Sequence, residues 1–289
     1  MQGINKKHYY LFVLGILFVF NILAWIVVYD FNKPKYLEVT FFDVGQGDSI
    51  FIQTPRRTQI LIDGGPSSRV IEKLSKVQPF YDRSLDFIIS SHPDSDHLVG
   101  LVDVLKIFKV NLIGSNGTIS SNPEFAEWQT QISKNNISPK VLKLGQRILV
   151  GKNLYFEVLA PLISFENKEV SDFNTSSVVL RMVYKNNSFL FTGDASKTIE
   201  EKIASTNQNI KTDVLKVSHH GSKTSTSDKF LKAVNPEIAV IEVGKNNRYG
   251  HPHQEVLERL KTYAIKILRT DELKDIKIIS NGEFLKIIN

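Results

Sequence analysis

The sequence predicts an α/β domain over Leu37–Asn289, with two sheets between helical layers, preceded by one membrane-spanning helix. Three observations support this prediction. An uncharged apolar run occupies residues 9–29, which matches the length of a helix that crosses a bilayer. In the rest of the chain, β-rich segments alternate with segments whose apolar residues recur at helical spacing. The 289 residues are 42% hydrophobic, which is enough for one large domain or two small ones.

The N-terminal run is YYLFVLGILFVFNILAWIVVY. Aromatic residues near its two ends, such as Tyr10 and Trp25, are typical of positions at lipid headgroups. Lys6 and Lys7 precede the run, which favours a cytoplasmic tail at residues 1–8 and a domain on the other side of the membrane. A cleaved signal peptide is one alternative, but the run is long for a signal peptide and lacks a small-x-small cleavage motif. A buried core helix is another, disfavoured because the run is apolar on all sides.

A short linker at residues 30–36 separates this run from the domain. Strands are predicted in LEVTFFDV, SIFIQ, TQILID, LDFIIS, NLYFEVLAP, SSVVLRMVY, SFLFTGD, DVLKVS and EIAVIEV. Helices are predicted after LDFIIS, between DVLKVS and EIAVIEV, and in HQEVLERLKTY. Lys185-Asn186-Asn187 and Asn281-Gly282 lie between strand-like runs and predict hairpins.

The composition indicates which binding partners and which kinds of metal site are compatible with this chain. A net charge of +6 favours polyanionic partners such as nucleic acid or anionic lipid. The chain has no cysteine, which excludes disulfides and thiolate metal sites. Of its seven histidines, one lies near the N-terminus, and the others fall in three clusters that follow strand-like runs.

The segment SHPDSDH, residues 91–97, is the strongest functional signal. It follows an apolar strand, opens a helix and contains four candidate ligands: His92, Asp94, Asp96 and His97. We expect the turn to direct His92 and Asp94 to one position, and Asp96 and His97 to a second. One loop would then serve two metal ions. A polar loop with a helix N-cap needs only one acid and leaves the two histidines unexplained.

Three further motifs follow predicted strands. Asp194, in Thr-Gly-Asp, has two carboxylate oxygens that can bridge two metal ions, although an ordinary Gly-Asp turn is an alternative. The pairs His219-His220 and His251–His253 supply imidazoles, which are common metal ligands and proton donors near neutral pH. These histidines are therefore candidate ligands or general acids.

Asp43 and Asp63 belong to glycine-rich turns, DVGQGDS and DGG. No Lys-Ser/Thr pair of a P-loop accompanies them, which excludes that kind of nucleotide site. Either aspartate can orient a metal-bound histidine, and either can simply form a tight turn. The sequence leaves these two interpretations open.

In their order along the chain, SHPDSDH, TGD, SHHGS and GHPH resemble the motifs of the metallo-β-lactamase superfamily. FFDVGQGDSIFIQ, LIDGG, NTSSVVL and DVLKVSHHGS are similar to the hydrolase domain of ComEC/Rec2 competence proteins and their stand-alone relatives. The resemblance covers residues 37–288. It implies a metallo-β-lactamase αββα four-layer sandwich with two divalent metal ions at the edge between its halves.

The resemblance places His92, Asp94, Asp96, His97 and Asp194 on the family's metal motifs, and it assigns Asp96 to catalysis as well. Asp94 departs from the general pattern His-x-His-x-Asp-His, in which a histidine stands at its position. This substitution is usual in the competence-like branch.

The superfamily usually has a further histidine between the SHPDSDH loop and Asp194, but this chain has none there. Asn174, or a hydroxyl beside it, is expected to take its place. Oxygen ligands suit Mn²⁺, whereas a histidine-rich site suits zinc, so the metal is left open between Mn²⁺ and Zn²⁺.

The late histidines are assigned by resemblance to tRNA-processing relatives. His251 is expected as a ligand, and His219 or His220 as a general acid or phosphate contact. Ser222 and His253 are expected in supporting or substrate-contacting positions.

These inferences predict a metal-dependent hydrolase, preferably a phosphodiesterase or nuclease that acts on DNA outside the membrane through metal-activated water. The DNA-uptake machinery is a candidate partner, although one helix cannot form a DNA channel. A cell-envelope phosphoesterase of the choline-phosphate type and a catalytically silent membrane-anchored binding protein are the alternatives. The missing histidine disfavours β-lactam hydrolysis. Oligomeric state is left open.

Overall fold

The computed structural model describes residues 6–32 and 36–288. Helix α1 (Lys6–Asn32) belongs to one compact unit, and a second unit begins at Tyr36. Over Lys6–Ile26, α1 is long and apolar enough to cross a membrane, and none of this stretch is buried within the protein. The Tyr29 side chain, tail residues 1–5 and linker residues 33–35 lie outside the described residues. The divisions predicted at 1–8, 9–29, 30–36 and 37–289 stay predictions.

Within residues 36–288, the second unit contains fifteen strands. In chain order they are β1 (Leu37–Phe41), β2 (Ile50–Gln53), β3 (Gln59–Ile62), β4 (Ser84–Ser90), β5 (Lys109–Ser115), β6 (Lys140–Val141), β7 (Arg147–Gly151), β8 (Leu154–Ala160), β9 (Val179–Tyr184), β10 (Asn187–Phe191), β11 (Val214–Lys216), β12 (Ile238–Ile241), β13 (Lys266–Arg269), β14 (Ile276–Ser280) and β15 (Leu285–Ile288). Seven α-helices accompany them in the described part of this unit: α2 (Arg69–Val77), α3 (Ser95–Ile107), α4 (Pro123–Lys134), α5 (Lys197–Ile203), α6 (Asp228–Val234), α7 (Gln254–Thr262) and α8 (Thr270–Leu273).

The strands form two sheets. The first has the order β15-β14-β1-β2-β3-β4-β5-β6, and the second has the order β13-β12-β11-β10-β9-β8-β7. In the first sheet, β1 and β3 are both antiparallel to β2, and β3, β4 and β5 are parallel to one another. In the second sheet, β10, β11, β12 and β13 are parallel. Parallel strands end at a common edge, so the segments that follow them are brought together there.

Three apolar clusters separate the layers. One lies between the sheets, where the rings of Phe41 and Phe191 are 6.4 Å apart. A second lies under α2, α3 and α4 and includes Leu101, and a third lies under α5, α6 and α7 and includes Phe230. The resulting order of helix, sheet, sheet and helix confirms the predicted αββα sandwich.

Strand β4 shows why a nearly continuous apolar run is needed in this architecture. Phe87 and Ile89 face the cluster between the sheets, whereas Leu85 and Ile88 face the cluster beneath the helices. A strand covered on both faces has no solvent side, and the polar–apolar alternation disappears.

Two glycines allow α3 to lie directly against the turn after β3. Gly64 N donates to His97 O at 2.8 Å, and Gly100 N donates to Gly65 O at 2.9 Å. A Cβ on Gly100 would lie 1.9 Å from Gly64 O, which is closer than any real contact. This close packing fixes the start of α3 relative to the first sheet.

Candidate metal centre

Residues 91–97 connect the carboxyl end of β4 to the first turn of α3. Asp63, which follows β3, accepts hydrogen bonds from Ser91 N at 2.8 Å and from Ser91 Oγ at 2.6 Å. Its Oδ2 atom also lies 2.9 Å from His97 Nδ1. Asp63 therefore holds both ends of the loop and leaves His97 Nε2 directed toward other groups.

Four side chains converge where the two sheets meet: Asp96, His97, Asp194 and His220. One candidate ligand atom from each lies within 4.8 Å of the others. His97 Nε2 is 3.4 Å from Asp194 Oδ1, and His220 Nε2 is 3.3 Å from Asp96 Oδ2. Both Nε2 atoms and Asp194 Oδ1 are buried without a hydrogen-bond partner. Because buried polar atoms are normally partnered, this arrangement fits a bound cation.

A second group of donors lies beside this quartet. His92 Nε2 is 3.2 Å from Asp94 Oδ2, and it is also buried without a hydrogen-bond partner. The rings of His92 and His97 are 4.2 Å apart. Asn174 lines the same cavity as Asp94, and its Oδ1 atom is buried and unpartnered. An imidazole, a carboxylate and an amide oxygen are therefore available near a second position.

The cavity in front of these groups has a volume of about 700 Å³ and is lined by His219, His220 and His251 among others. His219 Nε2 lies 3.8 Å from Asp194 Oδ2, whereas His220 Nε2 lies 3.5 Å from the same oxygen. The ring of His251 is 6.4 Å from that of His220. The structure thus groups His220 with the buried acids and leaves His251, the expected ligand, farther out.

The remaining predicted residues lie around this cavity, not in its lining. Asp43 Oδ2 is 3.6 Å from Lys274 Nζ, and the Asp43 backbone N–H donates to Asp275 Oδ1 at 2.8 Å. Ser222 Oγ is paired with Thr224 Oγ1 at 2.9 Å. His253 precedes α7, and its backbone N–H donates to Gly221 O at 2.9 Å. Of the two predicted aspartates, Asp63 contacts His97. Asp48, in the same glycine-rich turn as Asp43, also lies 3.7 Å from His97 Nδ1 through its Oδ2 atom.

The turn that carries His219 and His220 has an unusual backbone. Both residues are in the left-handed region, at φ 50° and 53°. This conformation is uncommon outside glycine, and local strain of this kind is often concentrated at functional sites. Glu200 supports the turn, because it is buried and accepts a hydrogen bond from Ser218 Oγ at 2.6 Å. It also accepts from the backbone N–H groups of Thr226 and Ser227, both at 2.9 Å.

A buried cation that the motifs in the sequence do not predict lies next to the quartet. Lys216 ends β11, and its ammonium group contacts Asp48, lies 3.7 Å from Asp194 Oδ1 and donates to Gly193 O at 3.0 Å. Burial lowers the pKa of Lys216, but Asp48 and Asp194 more than offset this and raise it above its usual value. Asp48 Oδ1 is also 3.2 Å from His220 Nδ1. The available signal was a lysine inside the apolar strand DVLKV, directly before SHHG.

Metal binding is expected to release protons. Burial lowers the pKa of His220, but Asp194 and Asp48 outweigh it and raise the pKa to about 10. The same balance raises the pKa of His97 well above its usual value, so both rings are protonated at neutral pH before metal binds. A metal ion must displace these protons, and its affinity should increase as pH rises.

Titration calorimetry in buffers of different ionisation enthalpy measures this release directly. The observed heat should change with the buffer, and the apparent affinity should fall below neutral pH. Heats that do not depend on the buffer would contradict the protonated state assigned to these histidines.

An αββα sandwich with a buried Asp/His cluster, placed where strands of both sheets end, defines a class of metal-dependent hydrolases. A family model described as "Metallo-beta-lactamase superfamily" matches residues 42–244, and the chain belongs to this superfamily.

Relatives in sequence have names connected with competence and recombination. The chain is 37% identical over 252 residues to ComE operon protein 3 of Bacillus subtilis, covering 81% of this chain and 32% of that protein. It is 33% identical over 260 residues to Recombination protein 2 of Haemophilus influenzae, covering 88% of this chain and 30% of that protein. The chain therefore spans about a third of the length of these relatives. The family and relatives confirm the predicted resemblance.

Among solved structures, the fold is similar to that of Igni18, a metallo hydrolase from Ignicoccus hospitalis, with a TM-score of 0.54 and 11% identity. The match covers 87% of this chain and 99% of that one. At this identity, the likeness concerns the fold.

Proposed function

We propose that this protein is a membrane-anchored, metal-dependent phosphodiesterase whose preferred substrate is DNA and which acts outside the membrane. The observation that carries the proposal is the quartet of Asp96, His97, Asp194 and His220, in which all but the partly exposed Asp96 are buried. Three of its members, Asp96, Asp194 and His220, line a cavity of about 700 Å³, and ligand atoms of His97, Asp194 and His220 are buried without a hydrogen-bond partner. A divalent cation bound between these carboxylates and imidazoles would be the missing partner of their ligand atoms.

The residues fit two metal ions of the Mn²⁺ or Zn²⁺ kind. Asp96, His97 and His220 would hold one ion, His92 and Asp94 the other with Asn174 near them, and Asp194 would contact both. Divalent ions in such a site lower the pKa of water toward neutrality and offset the charge of a phosphate group. In this proposal His220 replaces His251 as the histidine ligand, because His220 is the one within reach of Asp96 and Asp194.

His219 is proposed to contact the phosphate and donate a proton to the leaving oxygen. It faces the cavity and is partly exposed. Burial lowers its pKa, so the ring is neutral near pH 7 when no substrate is bound. A negatively charged phosphate beside the ring favours the protonated form, so substrate binding itself would supply the acid. His251, whose ring is 5.6 Å from that of His219, would contact the same phosphate.

Two side chains at the rim of the cavity favour DNA over small phosphodiesters as the substrate. Tyr249 is half exposed there, and the guanidinium of Arg248 lies 4.9 Å from the centre of its ring. An exposed aromatic ring beside an arginine is a usual platform for a stacked base with its phosphate. The net charge of +6 and the competence and recombination names of the relatives agree with this choice.

The membrane part of the proposal rests on α1, which would cross the bilayer with Lys6 and Lys7 on the cytoplasmic side. The catalytic domain would then lie on the opposite face, where incoming DNA is available. DNA-uptake proteins are the partners that this position would serve.

The test is a substrate screen on the full chain in detergent, loaded with Mn²⁺ or Zn²⁺. Single-stranded DNA, duplex DNA, RNA and a choline-bearing phosphodiester are compared, together with metal analysis of the purified protein. Faster hydrolysis of DNA, weakened steeply by salt, is the expected result. Preference for the choline ester would replace DNA by a cell-envelope substrate. Protein that binds metal but hydrolyses none of these substrates would indicate a binding protein.

Replacing Tyr249 by alanine should weaken DNA hydrolysis selectively. Loss of one stacked base corresponds to about 1–3 kcal/mol, so the KM for single-stranded DNA should rise by roughly 5- to 150-fold while kcat changes little. Hydrolysis of a small phosphodiester without a base provides the internal comparison and should be unchanged. Tyr155, an aromatic residue away from the cavity, provides the matched control variant Tyr155→Ala. Equal losses on both substrates would contradict the stacking role.

A further inference from the structure

One edge of the domain is marked by the point at which the chain enters it, at Tyr36. Because β1, β3, β4 and β5 share one direction, their amino ends lie at this edge and the candidate metal centre lies at the opposite one. We call it the tether edge and define it by Tyr36 and five connections: residues 54–58, 78–83, 152–153, 185–186 and 281–284.

Contacts confirm that these connections from the two sheets lie together. Lys185 Nζ donates to Asn281 O at 2.8 Å, and Asn186 N donates to Gly282 O at 3.1 Å. A cavity of about 350 Å³ is lined jointly by Arg56, Lys152, Lys185 and their neighbours. The tether edge is therefore one continuous surface built from both halves of the sandwich.

This surface exposes aromatic side chains that no other part of the domain covers, among the residues that the structure describes. Phe80 is 91% exposed and Tyr81 is 74% exposed, and their rings pack against each other at 5.3 Å. Phe284 is also exposed, with its ring 6.0 Å from that of Tyr36. Phe and Tyr at a loop tip expose apolar surface to water at a free-energy cost, and rings of this kind are enriched at the headgroup level of bilayers.

The same edge is rich in basic side chains. Arg56, Arg83, Lys152 and Lys185 are all exposed on its connections. Two acids are present: Glu283 is exposed, whereas Asp82 is turned inward and accepts hydrogen bonds from Ser84 and Gln59. Each basic residue near an anionic membrane strengthens attachment by roughly 5-fold. Aromatic rings surrounded by excess positive charge match the chemistry of an anionic bilayer surface.

We propose that the tether edge lies on the membrane surface, with Phe80 and Tyr81 inserted among the lipid headgroups and the metal centre directed away from the bilayer. This inference rests on the proposed anchoring by α1 and is independent of the proposed hydrolysis. Only three residues separate Asn32 from Tyr36, so an inserted helix keeps this edge close to the headgroups. The domain then sits on the bilayer in one orientation instead of tumbling on a tether.

The absence of cysteine in the sequence makes a direct test possible. In one variant, a fluorophore is attached to the cysteine of Pro79→Cys, next to the aromatic pair. In the matched control, it is attached to the cysteine of Lys245→Cys, an exposed position after β12 at the opposite edge. The full chain is placed in nanodiscs of phosphatidylcholine and phosphatidylglycerol that contain brominated lipid as quencher. Strong quenching at position 79 and none at position 245 is expected.

Two pairs of substitutions, each made in the protein labelled at position 79, separate the contribution of the aromatic rings from that of the basic side chains. Phe80→Ser with Tyr81→Ser should reduce quenching at position 79 to the control level, and Arg56→Gln with Lys152→Gln should reduce it partially. The thermal unfolding of these exposed variants should be unchanged. Discs of pure phosphatidylcholine should give weaker quenching than discs with the anionic lipid.

Equal quenching at both positions, or none at position 79, would overturn the proposal, and so would failure of the chain to enter the discs. Energy transfer between copies labelled at position 79, without lipid quenching, would assign the surface to self-association instead. Hydrolysis is measured on the same samples. If quenching holds while hydrolysis fails, the proposed function is wrong and the orientation stands.

Discussion

Replacing Asp194 by alanine should abolish metal-dependent turnover. Its carboxylate lies within 3.4–3.8 Å of nitrogen atoms of His97, His219 and His220, so it is an acid shared by these three histidines. A metal ion contributes several kcal/mol of charge stabilisation and about 1.36 kcal/mol is tenfold in rate, so we expect a loss of at least ~10³-fold.

The measurement combines hydrolysis rate with metal content, because the two should fall together. Asp194→Asn keeps the shape of the side chain and removes its charge, and it should behave like the alanine variant. Asp228→Ala, which removes a largely exposed aspartate from α6, is the matched control and should retain full activity. Activity retained in Asp194→Ala would remove the basis of the two-ion proposal.

Replacing Lys216 by methionine should strongly destabilise the metal-free protein. The ammonium group is fully buried and faces both Asp48 and Asp194 from within β11, beside the His220 ring that also lies near both acids. Breaking a buried ion pair by removing one partner leaves an uncompensated charge and costs about 3–5 kcal/mol. A divalent metal ion would restore part of this loss, because it supplies positive charge to Asp194 from the other side.

Thermal unfolding followed by circular dichroism, with and without Mn²⁺ or Zn²⁺, measures both effects. The gain in melting temperature on adding metal should be larger for Lys216→Met than for the unchanged protein. Lys202→Met, on the exposed side of α5, is the matched control. If both lysine variants unfold like the unchanged protein, Lys216 has no role as a structural counter-charge.

Much of the fold was predictable because its central strands carry clear local signals. The apolar run of β4 and the loop at residues 91–97 were identified in their correct order, since burial on both faces and clustered ligands are visible in the sequence itself. No strand or helix is predicted between α3 and β8, although β5, α4, β6 and β7 lie there. In α4, only Phe125, Trp128 and Ile132 provide large apolar contacts, and polar residues dominate the rest of the helix.

The site was less predictable than the fold, because long-range contacts decide which polar groups meet. Asp43 and Asp63 occur in similar glycine-rich turns, yet one contacts His97 whereas the backbone of the other binds Asp275, 232 residues away. The choice between His220 and His251 depends on the left-handed turn that directs His220 inward. Neither the turn nor the position of Lys216 opposite Asp48 could be derived from local spacing.

The pairing of β1 with β14 has a consequence for biosynthesis. Glu38 and Lys277, joined at 2.8 Å across these strands, are 239 residues apart. While the ribosome is still translating, every proposed ligand residue is present before β14 has emerged, but β1 lacks its outer neighbour and exposes unpaired backbone groups. Contacts this distant in sequence form slowly. A stalled nascent chain would therefore carry all of the proposed ligand residues while its first sheet is unfinished. It would need protection from aggregation until β14 and β15 are synthesised.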